Sequence, residues 1–196
     1  IRITGTGSAL PGRIVTNKEL EQLVETSDEW IWERTGIAER HVSVGETVVT
    51  LASEAARKAL EQAGKRAEEI DLILVASCSP EQYLPCCACQ VQADIGAVNA
   101  LAFDVNAACS GFLFALNTAD AYLRTGLAEN ALVIGSEVLS KLVDWKDRGS
   151  CILFGDGAGA VVVERCRTES RAVEYSNALP ETALQDSATG AVGVQC

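Results

Sequence analysis

Cys109 lies in the stretch VNAACSGFLFAL, residues 105–116, between a run of small residues and an amphipathic segment. The strand-like LAFDV precedes it. A helix is predicted from about 109 to 125, with Phe112, Leu113, Leu116 and Leu123 on its buried side and Gly126 as its stop. A thiol at a helix start sits near unpaired backbone N–H groups and the positive end of the macrodipole, which favours the thiolate. Ala107, Ala108, Ser110 and Gly111 leave room for a substrate, and backbone amides nearby can stabilise an oxyanion. These local grounds serve a nucleophile and a buried, inert cysteine about equally. Cys78 and Cys151, each in or beside an apolar strand-like run, fit inert packing better.

Other residue groups suggest other chemistry. Cys86, Cys87 and Cys89 invite a metal, but adjacent cysteines fit tetrahedral geometry poorly, no CxxC pair accompanies the cluster elsewhere, and His41 is the single histidine. Small apolar packing on a helix is the preferred reading, with no metal and no bound cofactor. The glycines of FGDGAGA resemble a dinucleotide fingerprint, yet the following AVVVE is β-branched and strand-like where that motif needs a helix. A tight structural turn is expected instead. Trp30 and Arg34, four residues apart, share a helix face.

The elements that must position these residues follow from periodicity and stops. Residues 1–7 alternate as a short strand. Asn17 is expected to cap a short helix carrying Leu20, Leu23 and Val24. Thr26-Ser27-Asp28-Glu29 has capping-box spacing, predicting a helix over 27–35 stopped by Gly36. A longer helix is predicted over 47–63 before Gly64, then a buried strand LILVAS, a helix over 86–95 before Gly96, the strand LAFDV, the Cys109 helix and the strand ALVIGS. CILF and AGAVVVE flank Gly155-Asp156-Gly157 too closely for a crossover and are expected to pair antiparallel. The fold class is α/β, a mainly parallel sheet with helices on both faces. After Glu164 the pattern degrades, so 1–164 forms the recognisable unit and 165–196 is a tail or the start of something further.

Composition narrows the function. The chain has 196 residues, 48% of them hydrophobic, enough for a real core. A formal charge of −11 with scattered bases argues against nucleic acid. No run approaches the roughly 20 apolar residues of a membrane span, and IRITGTG is not a signal peptide, so a cytoplasmic protein with reduced thiols is expected. The lack of Met at position 1 predicts that the chain does not begin at its translational start.

DVNAACSGF, with TSDEWIWERTGIAERH upstream and DRGSCILFGDGAGAVV downstream, resembles the type III β-ketoacyl-acyl-carrier-protein synthases, which have the thiolase fold. The likeness runs from residue 1 to about 164. It implies that Cys109 is the nucleophile, taking an acyl group from acyl-coenzyme A as a thioester that then condenses with malonyl-acyl carrier protein, to initiate fatty acid or polyketide synthesis. It further implies that Trp30 and Arg148 stack on the two faces of the adenine and that Arg34 and Thr35 contact the nucleotide. Phe154 then packs beside the thioester, and Leu84 reaches the acyl pocket of the partner in a homodimer. Many family members carry phenylalanine at the position of Leu84, so a primer larger than acetyl is expected. The family's catalytic histidine and asparagine lie in a second half that no motif here matches, and His41 sits near the nucleotide segment instead. The expectation is thus the N-terminal half of a synthase, with an acyl-coenzyme A binding or transacylase module, or a non-catalytic partner of a complete synthase, as alternatives.

Overall fold

The computed structural model describes residues 1–166. Five strands form the main sheet: β1 (Arg2–Ala9), β4 (Leu72–Ala76), β5 (Leu101–Val105), β6 (Asn130–Val138) and β7 (Asp156–Glu164), in the order β1-β7-β6-β4-β5. The β6–β4 and β4–β5 pairs are parallel, and β7 is antiparallel to both β6 and β1. Four strands therefore point one way and β7 the other, so the sheet is mainly parallel in direction. A separate two-stranded ribbon pairs β2 (Arg13–Thr16) with β3 (Glu39–Val42).

The central strand β4 is buried along its whole length because both its faces are packed. Ile73 and Val75 join one core with α3 (Val48–Ala63) and α4 (Cys87–Ile95), while Leu72 and Leu74 join another with α5 (Gly111–Thr125). The helix α3 carries a stripe of small residues, Ala52, Ala55, Ala56 and Ala59, that lets it lie directly on the sheet. A Cβ placed on Gly7 would stand 2.1 Å from the Ala55 carbonyl oxygen, and one on Gly5 would stand 2.2 Å from that of Ala59. Only glycine permits this approach.

Helices thus lie on both faces, but coverage is uneven. Val163 of β7 is buried with α5, but among the described residues no helix covers β1 on that side, where Ile3 is 51% exposed. Leu113, expected on the buried side of α5, is 62% exposed, whereas Leu123 is buried as expected, together with Ala115 and Ala119.

Several local expectations need correction. Thr16, not Asn17, caps the short helix α1 (Asn17–Leu20), accepting from the Glu19 N–H. Asn17 is buried and bridges Asp28 and the Ile37 carbonyl. Ser27, not Thr26, caps α2 (Asp28–Thr35), accepting from the Trp30 N–H at 3.1 Å. CILF is not a strand. Asp147 caps a short helix α6 (Arg148–Cys151), and Cys151 and Ile152 are drawn into a core with Val15, Leu20 and Ile31. Gly157 and Gly159 belong to β7 rather than to a turn, opposite Glu137 and Gly135 of β6. The expected unit boundary at 164 coincides with the end of β7, while the rest of the tail, 167–196, falls outside the described residues.

Candidate active site

The strands β4, β5 and β6 end together, as the parallel register aligns Ala76 with both Val105 and Gly135. The carboxyl ends of parallel strands are where open α/β sheets bind ligands. Cys109 stands there, exposed, in a 3₁₀ turn (Ala108–Ser110) just before α5. Ala108 has φ of 44°, a left-handed conformation that a Cβ disfavours, so this turn holds strain at the residue just before the one that carries the thiol. Gly111 lets the helix start close on β4: a Cβ there would lie 3.2 Å from that of Ala76. No side chain caps α5, because Ser110 accepts no bond from its first turn. The Gly111 N–H is itself taken by the Ala108 carbonyl, so an anion here would draw on the amides that follow it.

A second thiol shares this end of the sheet. Cys78 follows β4, exposed rather than packed in a core, and Cys109 is among the groups whose charge acts on it. Desolvation first, then the hydrogen-bonded Glu137 carboxylate, push its thiol pKa up. Glu137 accepts from the Cys78 N–H at 2.8 Å, from Ser77 Oγ at 3.2 Å and from Ser79 Oγ, fixing the chain after β4. Cys151 is fully buried, and burial likewise pushes its thiol up. Of these three thiols, Cys109 alone joins exposure to a strained strand-to-helix turn.

The aromatic and basic residues gather elsewhere on the surface. The Arg34 guanidinium carbon lies 4.3 Å from the centroid of the Trp30 ring and that of Arg148 lies 4.7 Å from it. Arg34 reaches this position because α2 places it one turn after Trp30. Arg148 comes from α6 and is held by its bond to the Glu25 carbonyl at 3.1 Å. A base held between indole and guanidinium needs about 7 Å, two van der Waals contacts, so Arg148 must swing outward to admit one. Beside the cluster lies a depression of about 340 Å³ lined by Glu25, Lys146 and Arg148, among others.

A family model described as 3-oxoacyl-[acyl-carrier-protein] synthase III matches residues 103–179. The β-ketoacyl-[acyl-carrier-protein] synthase III of Clostridium acetobutylicum is 56% identical over 163 residues, 83% of this chain and 50% of that protein. That of Aquifex aeolicus is 52% identical over 169 residues, 86% and 55%. The chain belongs to the synthase III family. It spans about half the length of the curated relatives it matches, corresponding to their N-terminal part. The crystal structure of the Aquifex synthase III superposes with a TM-score of 0.84 at 51% identity, covering 86% of this chain and 55% of that one. The priming β-ketosynthase of the R1128 polyketide pathway gives 0.83 at 38%, covering 85% and 50%. The fold is accordingly the thiolase-like α/β fold that the sequence led us to expect.

Within this synthase III chain the predicted site residues are partly assembled. Trp30, Arg34 and Arg148 form one cluster; Cys109 belongs to the sheet end, and among the described residues no hydrogen bond or stacking contact links the two. Thr35 spends its hydroxyl within α2, donating to the Ile31 carbonyl at 2.8 Å and accepting from the Ile37 N–H at 3.0 Å. Phe154, 39% exposed, lies between α6 and β7, and Leu84, 85% exposed, lies between β4 and α4. His41 donates from Nδ1 to the Pro11 carbonyl at 2.6 Å, a structural bond. Among the described residues, no three of the His, Cys, Asp or Glu side chains gather as metal ligands. A mixed-charge cleft of about 770 Å³ opens among Arg13, Leu23, Glu46, Lys141 and Trp145, and neither Cys109 nor Trp30 lines it.

Sequence reasoning passed over Lys146 and Glu137. Lys146 stands two residues before Arg148, a spacing visible in DWKDRG, but only the fold makes the pair line one depression. Glu137 lies 28 residues after Cys109 and carries no motif of its own.

Proposed function

We propose that this chain is the acyl-accepting part of a condensing acyltransferase. Cys109 attacks the carbonyl of an acyl-coenzyme A, forming an acyl-thioester on its Sγ and releasing coenzyme A as the thiol. The acyl group is then positioned for condensation with malonyl-acyl carrier protein, the first carbon–carbon bond of a fatty acid or polyketide chain. The observation that carries this reading is the exposed Cys109 on its strained turn at the common end of β4, β5 and β6. Trp30, Arg34, Arg148 and Lys146 supply a π face and cationic groups suited to an adenine nucleotide. Coenzyme A enters as substrate, and no resident cofactor is invoked.

Intact mass spectrometry after incubation with acyl-coenzyme A tests this. One acyl adduct is expected, absent in Cys109→Ala; an unmodified wild-type chain sinks the proposal. A second reading has its own support. The only histidine is committed to Pro11, and the matched relatives are about twice as long, which favours a chain that is acylated but condenses only with further residues supplied. Acylation without β-ketoacyl product is the outcome that selects it, and no acylation at all leaves a binding partner of a complete synthase.

The finer assignments belong here too. The exposed Leu84 suits a homodimer in which it reaches the partner's acyl pocket, and a branched or longer primer. Faster acylation by isobutyryl- or octanoyl- than by acetyl-coenzyme A is expected; a clear acetyl preference counts against it. A cytoplasmic location accords with this chemistry. No helix among the described residues is long and apolar enough to cross a membrane.

A further inference from the structure

The first turn of α4 holds two sulfurs in contact. Cys86 is its N-cap residue, and the Cys86 Sγ lies 3.4 Å from the Cys89 Sγ. The intervening Cys87 faces the other way, fully buried in the core with Val91. Cys86 and Cys89 are both half-buried, so a small reagent can reach them. Their spacing is C-x-x-C on a helix start beside a β-α-β pattern, the arrangement of redox dithiols.

A metal does not explain the pair. Two sulfurs make half a tetrahedral site, and Asp104, the carboxylate whose charge acts on Cys89, has both oxygens engaged. They accept from the Cys87 N–H at 2.9 Å and the Ala88 N–H at 2.7 Å, capping α4 from β5. Covalent closure is geometrically easy. Residues three apart on a helix have Cα atoms about 5 Å apart, inside the disulfide range, and sulfurs at 3.4 Å need to close by about 1.4 Å.

We propose that Cys86 and Cys89 are a dithiol–disulfide pair, a redox modification site distinct from Cys109. The oxidant is a small-molecule disulfide such as oxidised glutathione. One cysteine thiolate attacks it, forming a mixed disulfide and releasing one thiol. The second cysteine thiolate then attacks the first cysteine's Sγ in that mixed disulfide, closes the Cys86–Cys89 bond and expels the oxidant's remaining sulfur as the second thiol. The protein loses two protons and two electrons, and the oxidant gains them. Contact with Cys86 first, then burial, keeps the Cys89 thiol protonated, so exchange accelerates as pH rises. The bond would staple the first turn of α4 beside the Ala102 carbonyl, to which the Cys89 thiol donates at 3.7 Å, on the strand that leads to Cys109. This chemistry is independent of acyl transfer.

The test is disulfide mapping. The reduced, full-length chain is equilibrated at pH 8 with mixtures of reduced and oxidised glutathione, quenched with acid, cleaved beside Glu81 or Tyr83 and fragmented without reduction. The expected product is a segment 84–89 lighter by two hydrogens, with Cys86 joined to Cys89 and Cys87 free. Cys86→Ser and Cys89→Ser should each leave the remaining partner as a glutathione mixed disulfide. Three results overturn the proposal: both cysteines still free at every ratio, stable glutathione adducts on the wild-type pair, or a bond from either to Cys78, Cys87 or Cys109.

Discussion

Trp30 is the residue on which the nucleotide reading turns. Its ring already holds two guanidiniums, so binding a base exchanges the Arg148 contact for an adenine stacked between them. Base stacking on an aromatic is worth about 1–3 kcal/mol, so Trp30→Ala should weaken coenzyme A binding at least about tenfold by calorimetry, and Trp30→Phe much less. Lys146→Ala should weaken binding more at low salt than at high, since a charge at a depression's rim acts through a screened field. An equal loss at both salts would place Lys146 outside the phosphate path. Cys109 and Trp30 could be proposed from the sequence because their surrounding motifs run contiguously along the chain. Lys146 was not, because its meaning comes from α6 folding against Glu25. The sequence could not show that the end of α2 takes up the Thr35 hydroxyl, a bond made by the helix and the turn after it.

Elements were legible where local signals agreed with packing. Thr47 and Gly64 bracket α3, and the wholly apolar β4 has neighbours on both faces. CILF failed because its destination is tertiary: Arg40, buried beneath it, donates to the Val15 and Ile152 carbonyls and pins a helical turn where the run alone suggests a strand. Two predictions belong at this scale. Gly7→Ala drives a Cβ into the backbone of α3, an overpacking that should cost about 2–3 kcal/mol and lower Tm by several degrees in a thermal melt. An unchanged Tm would mean that α3 rides higher on the sheet. The first turn of α4 carries the other prediction. Burial first, then the Asp104 charge, push the Cys87 thiol from an ordinary 9.0 up to about 12. Between those values the unfolded chain releases this proton and the folded chain keeps it, so stability is full below pH 9 and falls as pH rises towards 12. Urea titrations at pH 8 and 10.5 should show that fall, and Cys87→Ala should start lower but decline less. Parallel slopes in the two proteins would remove Cys87 as the cause.

At the scale of the whole molecule two opposing surfaces meet. The chain carries a formal −11, which repels both a second copy and an acidic carrier protein at long range. Against this, Ile3 on β1, which no described helix covers on that face, and Leu113 and Phe114 on the outer side of α5 expose apolar area. Apolar contact is short-ranged and indifferent to screening, whereas repulsion between net charges fades as the Debye length falls from about 30 Å at 0.01 M salt to about 8 Å at 0.15 M. If the uncovered face governs association, adding salt strengthens it; if complementary charges govern, salt weakens it. Sedimentation velocity across that salt range should therefore show the sedimentation coefficient rising with salt. Phe114→Glu, which puts a charge where burial would occur, should hold the chain monomeric at 0.15 M without changing its fold by circular dichroism. A monomer at every salt concentration, or association that weakens as salt is added, would show that the face does not drive copies together, and that the charged surface governs how this chain meets its partners.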